Sequence, residues 1–186
     1  AASDVYKRQA EYGDRIYNVD GFQSITDYLR KNKIDFLVAP DGSMIEPVNE
    51  MAEELQKRGH KVGTSMFYKI RHPDGRTEVA GGGLPQDIRE FTLCTVDDIL
   101  STGGTLLHVV EDARKKGAKD IKALFVHPVC SFNETYGKNA LSLLEDENIE
   151  VAAGNTIRSP VSKIDVIPRL AEGIREVIED KYPGGF

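Results

Sequence analysis

Cysteine is scarce in this chain. There are two among 186 residues, Cys94 and Cys130, each inside an apolar run and neither in a CxxC pair. That argues against a disulfide scaffold or a zinc knuckle and fits reduced core thiols in a cytoplasmic protein. Positive charge is also short. Lys and Arg total 24 against 30 Asp and Glu, for a net charge of −6. Non-specific binding to nucleic acid or to an anionic membrane is therefore not expected. A bound phosphate has to be held by local geometry and not by a basic field. No apolar run approaches the ~18 residues of a membrane span. No signal peptide is expected from the opening residues, which have no apolar stretch. Repeats and low-complexity tracts are missing. His60, His72 and His108 have no partners at ligand spacing, so no zinc site is expected. His127, at a strand end, reads as structural.

What is present is enough for one core. Apolar residues make up 40%, and the length suits a single α/β domain. The first segment, AASDVYKRQ (1–9), has no helical or strand period that continues into the neighbouring residues. It reads as non-native or disordered and is set aside, leaving 10–186 as the domain. Helices and strands then alternate. Apolar spacing predicts helices over 24–31, 45–58, 106–116, 134–144 and 166–179. Buried strands are predicted over 34–40, 61–70, 91–96, 121–129 and 149–154, with polar Pro/Gly loop over 71–76 and more loop at Gly81, Gly82 and Gly83. This alternation predicts an α/β fold, a parallel sheet of about five strands with helices on both faces.

The informative stretch is FTLCTVDDILSTGGTLLHVVEDARKKG (91–117). An apolar strand delivers Asp97 and Asp98 at its carboxyl end. Ser101, Thr102, Gly103, Gly104 and Thr105 come next and lead into a helix. Ligands of open α/β sheets bind outside the carboxyl ends of the strands. Glycines let backbone N–H groups converge on an anion, the hydroxyls add donors, and the helix N-terminus is partially positive. The order strand, acid pair, Gly/Thr loop, helix predicts a phosphosugar site, with the acids accepting from sugar hydroxyls or holding a divalent cation.

VDDILSTGGT (96–105) resembles the signature of phosphoribosyl diphosphate sites, shared by type I phosphoribosyltransferases and ribose-phosphate diphosphokinases. Three further segments resemble the diphosphokinases, especially the archaeal-type branch. VAPDGSMIEPVNEMA (38–52) is similar to their pyrophosphate-side loop and helix. YKIRHPDGRTEV (68–79) looks like their flexible catalytic loop. VHPV (126–129) and GNTIRSPVSKIDVIPRLAEGI (154–174) look like the later strand and tail. The resemblance runs over about 20–178 and corresponds to the C-terminal half of a two-domain enzyme.

The resemblance implies transfer of the β,γ-diphosphoryl group of ATP to ribose 5-phosphate, giving phosphoribosyl diphosphate and AMP for nucleotide biosynthesis. It places the 5-phosphate on Ser101 to Thr105 and the ribose on Asp97, with Asp98 beside it. Asp41, Gly42 and Ser43 become the diphosphate loop, with Asp41 a Mg²⁺ ligand. Lys69 and Arg71 become the catalytic cations on a closing loop. Met44 stands where the family has a small residue, so its bulk would crowd a backbone approach to the diphosphate. A homo-oligomer is implied, and the chain alone is expected to be inactive because the ATP-binding half lies elsewhere. Two alternatives stay open: a nucleobase phosphoribosyltransferase, and a non-catalytic regulatory subunit.

Overall fold

The computed structural model describes Gly13 and residues 17–71, 77–82, 84–85, 87–118 and 120–181, with backbone alone at 68–71 and 77–82. The segment 1–9 lies outside the described residues. Five helices and nine strands are described: α1 Phe22–Leu29, β1 Phe36–Ala39, α2 Ile45–Lys57, β2 Gly63–Arg71, β3 Thr77–Gly82, β4 Thr92–Leu100, α3 Gly104–Lys115, β5 Asp120–Pro128, β6 Phe132–Asn133, β7 Lys138–Asn139, α4 Ala140–Asp146, β8 Glu150–Gly154, β9 Ser162–Ile164 and α5 Ile167–Lys181.

Seven strands form one sheet in the order β3-β2-β1-β4-β5-β8-β9, and β6 and β7 make a small separate hairpin. Neighbouring strands from β2 to β9 pair in parallel, and only β3 is antiparallel, on β2. The α/β class, the parallel sheet and the helices on both faces are therefore as the alternation predicts. The sheet is larger than the expected five strands because β9 and β3 extend its two edges.

The period of two along each strand sorts the core into two layers. Leu37, Ala39, Cys94, Val96, Leu124, Val126 and Ala152 pack under Ile25 and Leu29 of α1 and Val48, Met51, Ala52 and Leu55 of α2. Val38, Leu93, Ala123, Phe125, Val151 and Ala153 pack against α3 and α4 on the opposite face. A fully buried Leu, Ile or Phe contributes about 1.5–3 kcal/mol, so these two layers dominate the stability of the domain. Arg169 of α5 reaches Asp27 of α1 at 2.8 Å, tying the last helix to the first.

Several boundaries differ from the sequence reading. Gly81 and Gly82 are strand, not loop: they pair with Phe67 and Met66 across the β2–β3 hairpin. β-branched and aromatic residues at Tyr68, Ile70, Thr77 and Val79 favour strand on both sides of the Pro73–Gly75 turn signal, whose residues 72–76 lie outside the described residues. The predicted helix 134–144 is mostly a hairpin. Residues 134–137 turn, β7 comes next, and α4 begins at Ala140, where the Asn139 side chain accepts the Ser142 N–H at 2.9 Å. Strand β4 does not stop before the acids. It runs on through Asp97 and Asp98 to Leu100, because β5 lies beside it and pairs Asp97 with Phe125 and Leu100 with Pro128.

Gly154 ends β8 where the chain passes close to β5. A Cβ built there would lie 2.5 Å from the Val126 carbonyl oxygen and 3.0 Å from Val166 Cγ1. Backbone cannot yield as a flexible side chain does. Gly154→Ala is expected to lower stability by about 1–3 kcal/mol, measured as a fall in the denaturant midpoint.

Candidate functional site

Because β2, β1, β4, β5 and β8 run in parallel, their carboxyl ends share one edge of the sheet. Chain order reverses between β1 and β4: β2 lies on the far side of β1, while β5 and β8 continue beyond β4. That reversal is the topological switch point, where open α/β sheets leave a crevice. Asp41 comes after β1, and Asp97, Asp98 and the 101–105 segment lie on and after β4. The switch point therefore brings together the two segments that the sequence singled out.

Asp41 is extended and caps a single 3-10 turn, Gly42–Met44. Its Oδ1 accepts the Ser43 N–H at 2.9 Å and the Ser43 hydroxyl at 2.6 Å. Neither bond occupies Oδ2. The expected crowding by Met44 does not arise, because its side chain is buried in the α1–α2 layer while Gly42 and Ser43 are exposed.

Asp97 is partly enclosed and accepts the Asp98 N–H at 2.9 Å. Burial pushes its carboxyl up from 3.8 to about 7, with the charges of Asp98 and Asp41 adding to the rise against that backbone hydrogen bond. Asp98 and Asp41 thus lie within electrostatic reach of Asp97, an environment that favours a cation or hydroxyl donors there.

Beyond Leu100 the chain forms a short loop. Ser101 and Thr102 are exposed, and Gly103 occupies the capping position of α3 with φ 75°. That left-handed backbone suits glycine. Gly104 and Thr105 are already the first residues of α3. A glycine cap has no side-chain acceptor to offer the first N–H groups of the helix, which suits an anion there. An open groove of about 620 Å³ runs along this turn, walled by Thr102, Gly104, Thr105 and His108 on one side and by the β6–β7 hairpin on the other.

Lys69 and Arg71 lie on the strand β2 and not on a loop. Lys69 pairs with Val79, and Arg71 pairs with Thr77 at the hairpin end. His127 lies near the carboxyl end of β5. Its Nδ1 lies 2.9 Å from the Thr156 hydroxyl, which itself donates to the Val126 carbonyl at 3.0 Å. With its one hydrogen used there, the hydroxyl accepts from Nδ1–H, which assigns the tautomer. The sequence pattern does not single out Asn133. It is buried beside the 101–105 turn and donates to the Thr102 carbonyl at 3.0 Å.

Residues 19–152 match the phosphoribosyl transferase domain. The chain belongs to that family. Within it, the chain is similar to the ribose-phosphate pyrophosphokinase of Thermococcus kodakarensis, at 32% identity over 154 residues covering 82% of this chain and 50% of that protein. It is similar also to the ribose-phosphate pyrophosphokinase of Pyrococcus furiosus, at 33% over 134 residues covering 72% and 43%. Among solved structures, the phosphoribosylpyrophosphate synthetase of Mycobacterium smegmatis shares the fold, with a TM-score of 0.63 and 24% identity over 86% of this chain and 51% of that one. The chain thus spans about half the length of the relatives it matches. In this phosphoribosyl transferase domain, no helix among the described residues is long and apolar enough to cross a membrane.

Proposed function

We propose that this chain is the ribose-phosphate-binding part, the C-terminal half, of a cytoplasmic ribose-phosphate diphosphokinase. The whole enzyme would transfer diphosphate from ATP to ribose 5-phosphate, giving phosphoribosyl diphosphate and AMP for nucleotide biosynthesis. The observation that carries this reading is the switch point, where an acid pair and a left-handed glycine turn at a helix N-terminus stand beside the Asp41 turn. The relatives named above favour it over nucleobase salvage or a regulatory subunit.

In this reading the 5-phosphate sits on Ser101, Thr102, Gly103, Gly104 and Thr105. Asp97 accepts from the ribose hydroxyls with Asp98 beside it. Asp41, Gly42 and Ser43 face the diphosphate. Lys69 and Arg71, at the end of β2 two strands from β4, neutralise charge on the transferring group. Diphosphoryl transfer needs positioning and charge compensation more than covalent chemistry. The described residues hold no group of three His, Cys, Asp or Glu side chains suited to a metal ion. A Mg²⁺ at Asp41 would therefore take most of its oxygens from phosphate and water, as this hard cation commonly does. When bound it would neutralise phosphate charge. The partners are ATP, ribose 5-phosphate and further copies of the same subunit.

Calorimetric titration tests the reading. Ribose 5-phosphate is expected to bind the chain at least ~100-fold tighter than ribose, the worth of two or more charge-assisted hydrogen bonds. Equal binding of the two sugars, or none at millimolar levels, would sink it. ATP with ribose 5-phosphate should yield no AMP from this chain alone. Release of diphosphate from phosphoribosyl diphosphate and a free base would favour the salvage alternative.

A further inference from the structure

Thr102 and Gly103 share one peptide group. It is planar and trans, so its C=O and N–H point in opposite directions. Asn133 decides which way. The residue is only 7% exposed. Its Oδ1 accepts the Thr135 N–H at 3.1 Å, and only the carboxamide oxygen can do so, which fixes the orientation of the group. Nδ2 then faces the Thr102 carbonyl and donates to it at 3.0 Å. With that carbonyl drawn to Asn133, the Gly103 N–H is turned to the other side of the chain.

The same connection holds the turn at one more point. The Cys130 N–H donates to the Leu100 carbonyl at 2.8 Å. The turn is thus pinned at its start and its middle by the segment that comes after β5.

We propose that Asn133 is a positioning residue for the phosphate-binding turn, holding the Thr102–Gly103 peptide with its N–H toward the anion. This rests on the reading of 101–105 as a phosphate site. A reversed peptide would aim a carbonyl dipole at a dianion and turn an attraction into a repulsion. A residue that merely filled space would leave the peptide free to take either orientation.

The test is a titration of ribose 5-phosphate into the 186-residue chain and into Asn133→Ala and Asn133→Asp, followed by calorimetry and by the amide resonances of Gly103, Val109 and Val110. Ribose 5-phosphate should move the Gly103 amide downfield in the unaltered chain. Asn133→Ala should bind ~10-fold more weakly. Asn133→Asp should bind more weakly still, since its carboxylate repels the Thr102 carbonyl. Both should lose the Gly103 shift while Val109 and Val110, inside α3, keep their positions. If Asn133→Ala fails to fold, Asn133→Asp, which has the same shape, carries the comparison. Equal affinities with the Gly103 shift retained would overturn the role of Asn133 and leave the phosphate reading standing. Absence of ribose 5-phosphate binding in the unaltered chain would remove the phosphate reading, and the role of Asn133 with it.

Discussion

Asp97→Asn is expected to make the chain more stable above pH 7 and to abolish most of its affinity for ribose 5-phosphate. The two effects have one cause. Asp97 sits partly enclosed beside Asp98 and within the field of Asp41, and its carboxyl is pushed up to about 7. A group whose folded value lies above its unfolded one holds its proton more tightly when folded. Its contribution to stability is complete below about pH 4 and is lost as pH rises through about 7. Each unit is worth about 1.4 kcal/mol, so the ionised carboxylate costs the fold at most about 4 kcal/mol, less after relaxation and screening at the rim. Asparagine keeps the shape without the charge. Thermal melts should show Asp97→Asn level with the unaltered chain near pH 4 and ahead by on the order of 5 °C at pH 8. The same substitution removes the charged acceptor for sugar hydroxyls, with a loss of about 10–100-fold in ribose 5-phosphate affinity. A difference in melting temperature that does not grow with pH would show that Asp97 is not held against its preference. A stable variant that binds the sugar normally would remove Asp97 from the site.

Such an arrangement is what a binding site looks like when stability is given up locally. Clustered carboxylates are poor design for a resting fold, and here they occur at the switch point and not in the packed layers. In the proposed reading, the Asp97 effect belongs to function more than to architecture.

Much of this was legible in the sequence. The helical spacing of Val48, Met51, Ala52 and Leu55 specifies which face of α2 is buried, the continuous apolar runs of β1 and β5 mark strands buried on both faces, and strand–helix alternation then leaves few topologies. The acids and the Gly/Thr turn could be read because strand, acids, turn and helix are contiguous. What could not be read depends on distant partners. β4 continues past its apolar run only because β5 is there to pair with Ile99 and Leu100. The segment 132–139 alternates too little to announce a hairpin, and its apolar residues fit helical spacing equally well. Arg71 reads as loop because Pro73 and Gly75 dominate its neighbourhood, and the resemblance puts Lys69 on the same loop, while the pairing with Thr77 and Val79 is a property of two segments together. The contact of Asn133 with Thr102 crosses 31 positions, and no local pattern encodes it.

Two adjacent glycines are expected to differ sharply in what they tolerate. Gly103 has φ 75°, where a β-branched side chain is a steric outlier. Gly103→Val should cost about 2 kcal/mol or more of stability as the turn is forced into another conformation. It should also abolish ribose 5-phosphate binding, because the N–H groups no longer converge. Gly104 is helical, and a methyl there meets only Asn133 Nδ2 at 3.6 Å and Thr102 Oγ1 at 3.9 Å, ordinary contact distances. Gly104→Ala should therefore leave stability within about 0.5 kcal/mol of the unaltered chain, helped by the better helix propensity of alanine. Its methyl is on the Asn133 side of the turn, opposite the side to which the Gly103 N–H is turned, so ribose 5-phosphate affinity should stay within ~2-fold of the unaltered chain. Denaturant melts and sugar-phosphate titrations of both variants read this difference. If Gly104→Ala loses most of its affinity, the anion approaches along the Asn133 wall instead. If Gly103→Val folds and binds normally, the left-handed turn is not what shapes the cradle.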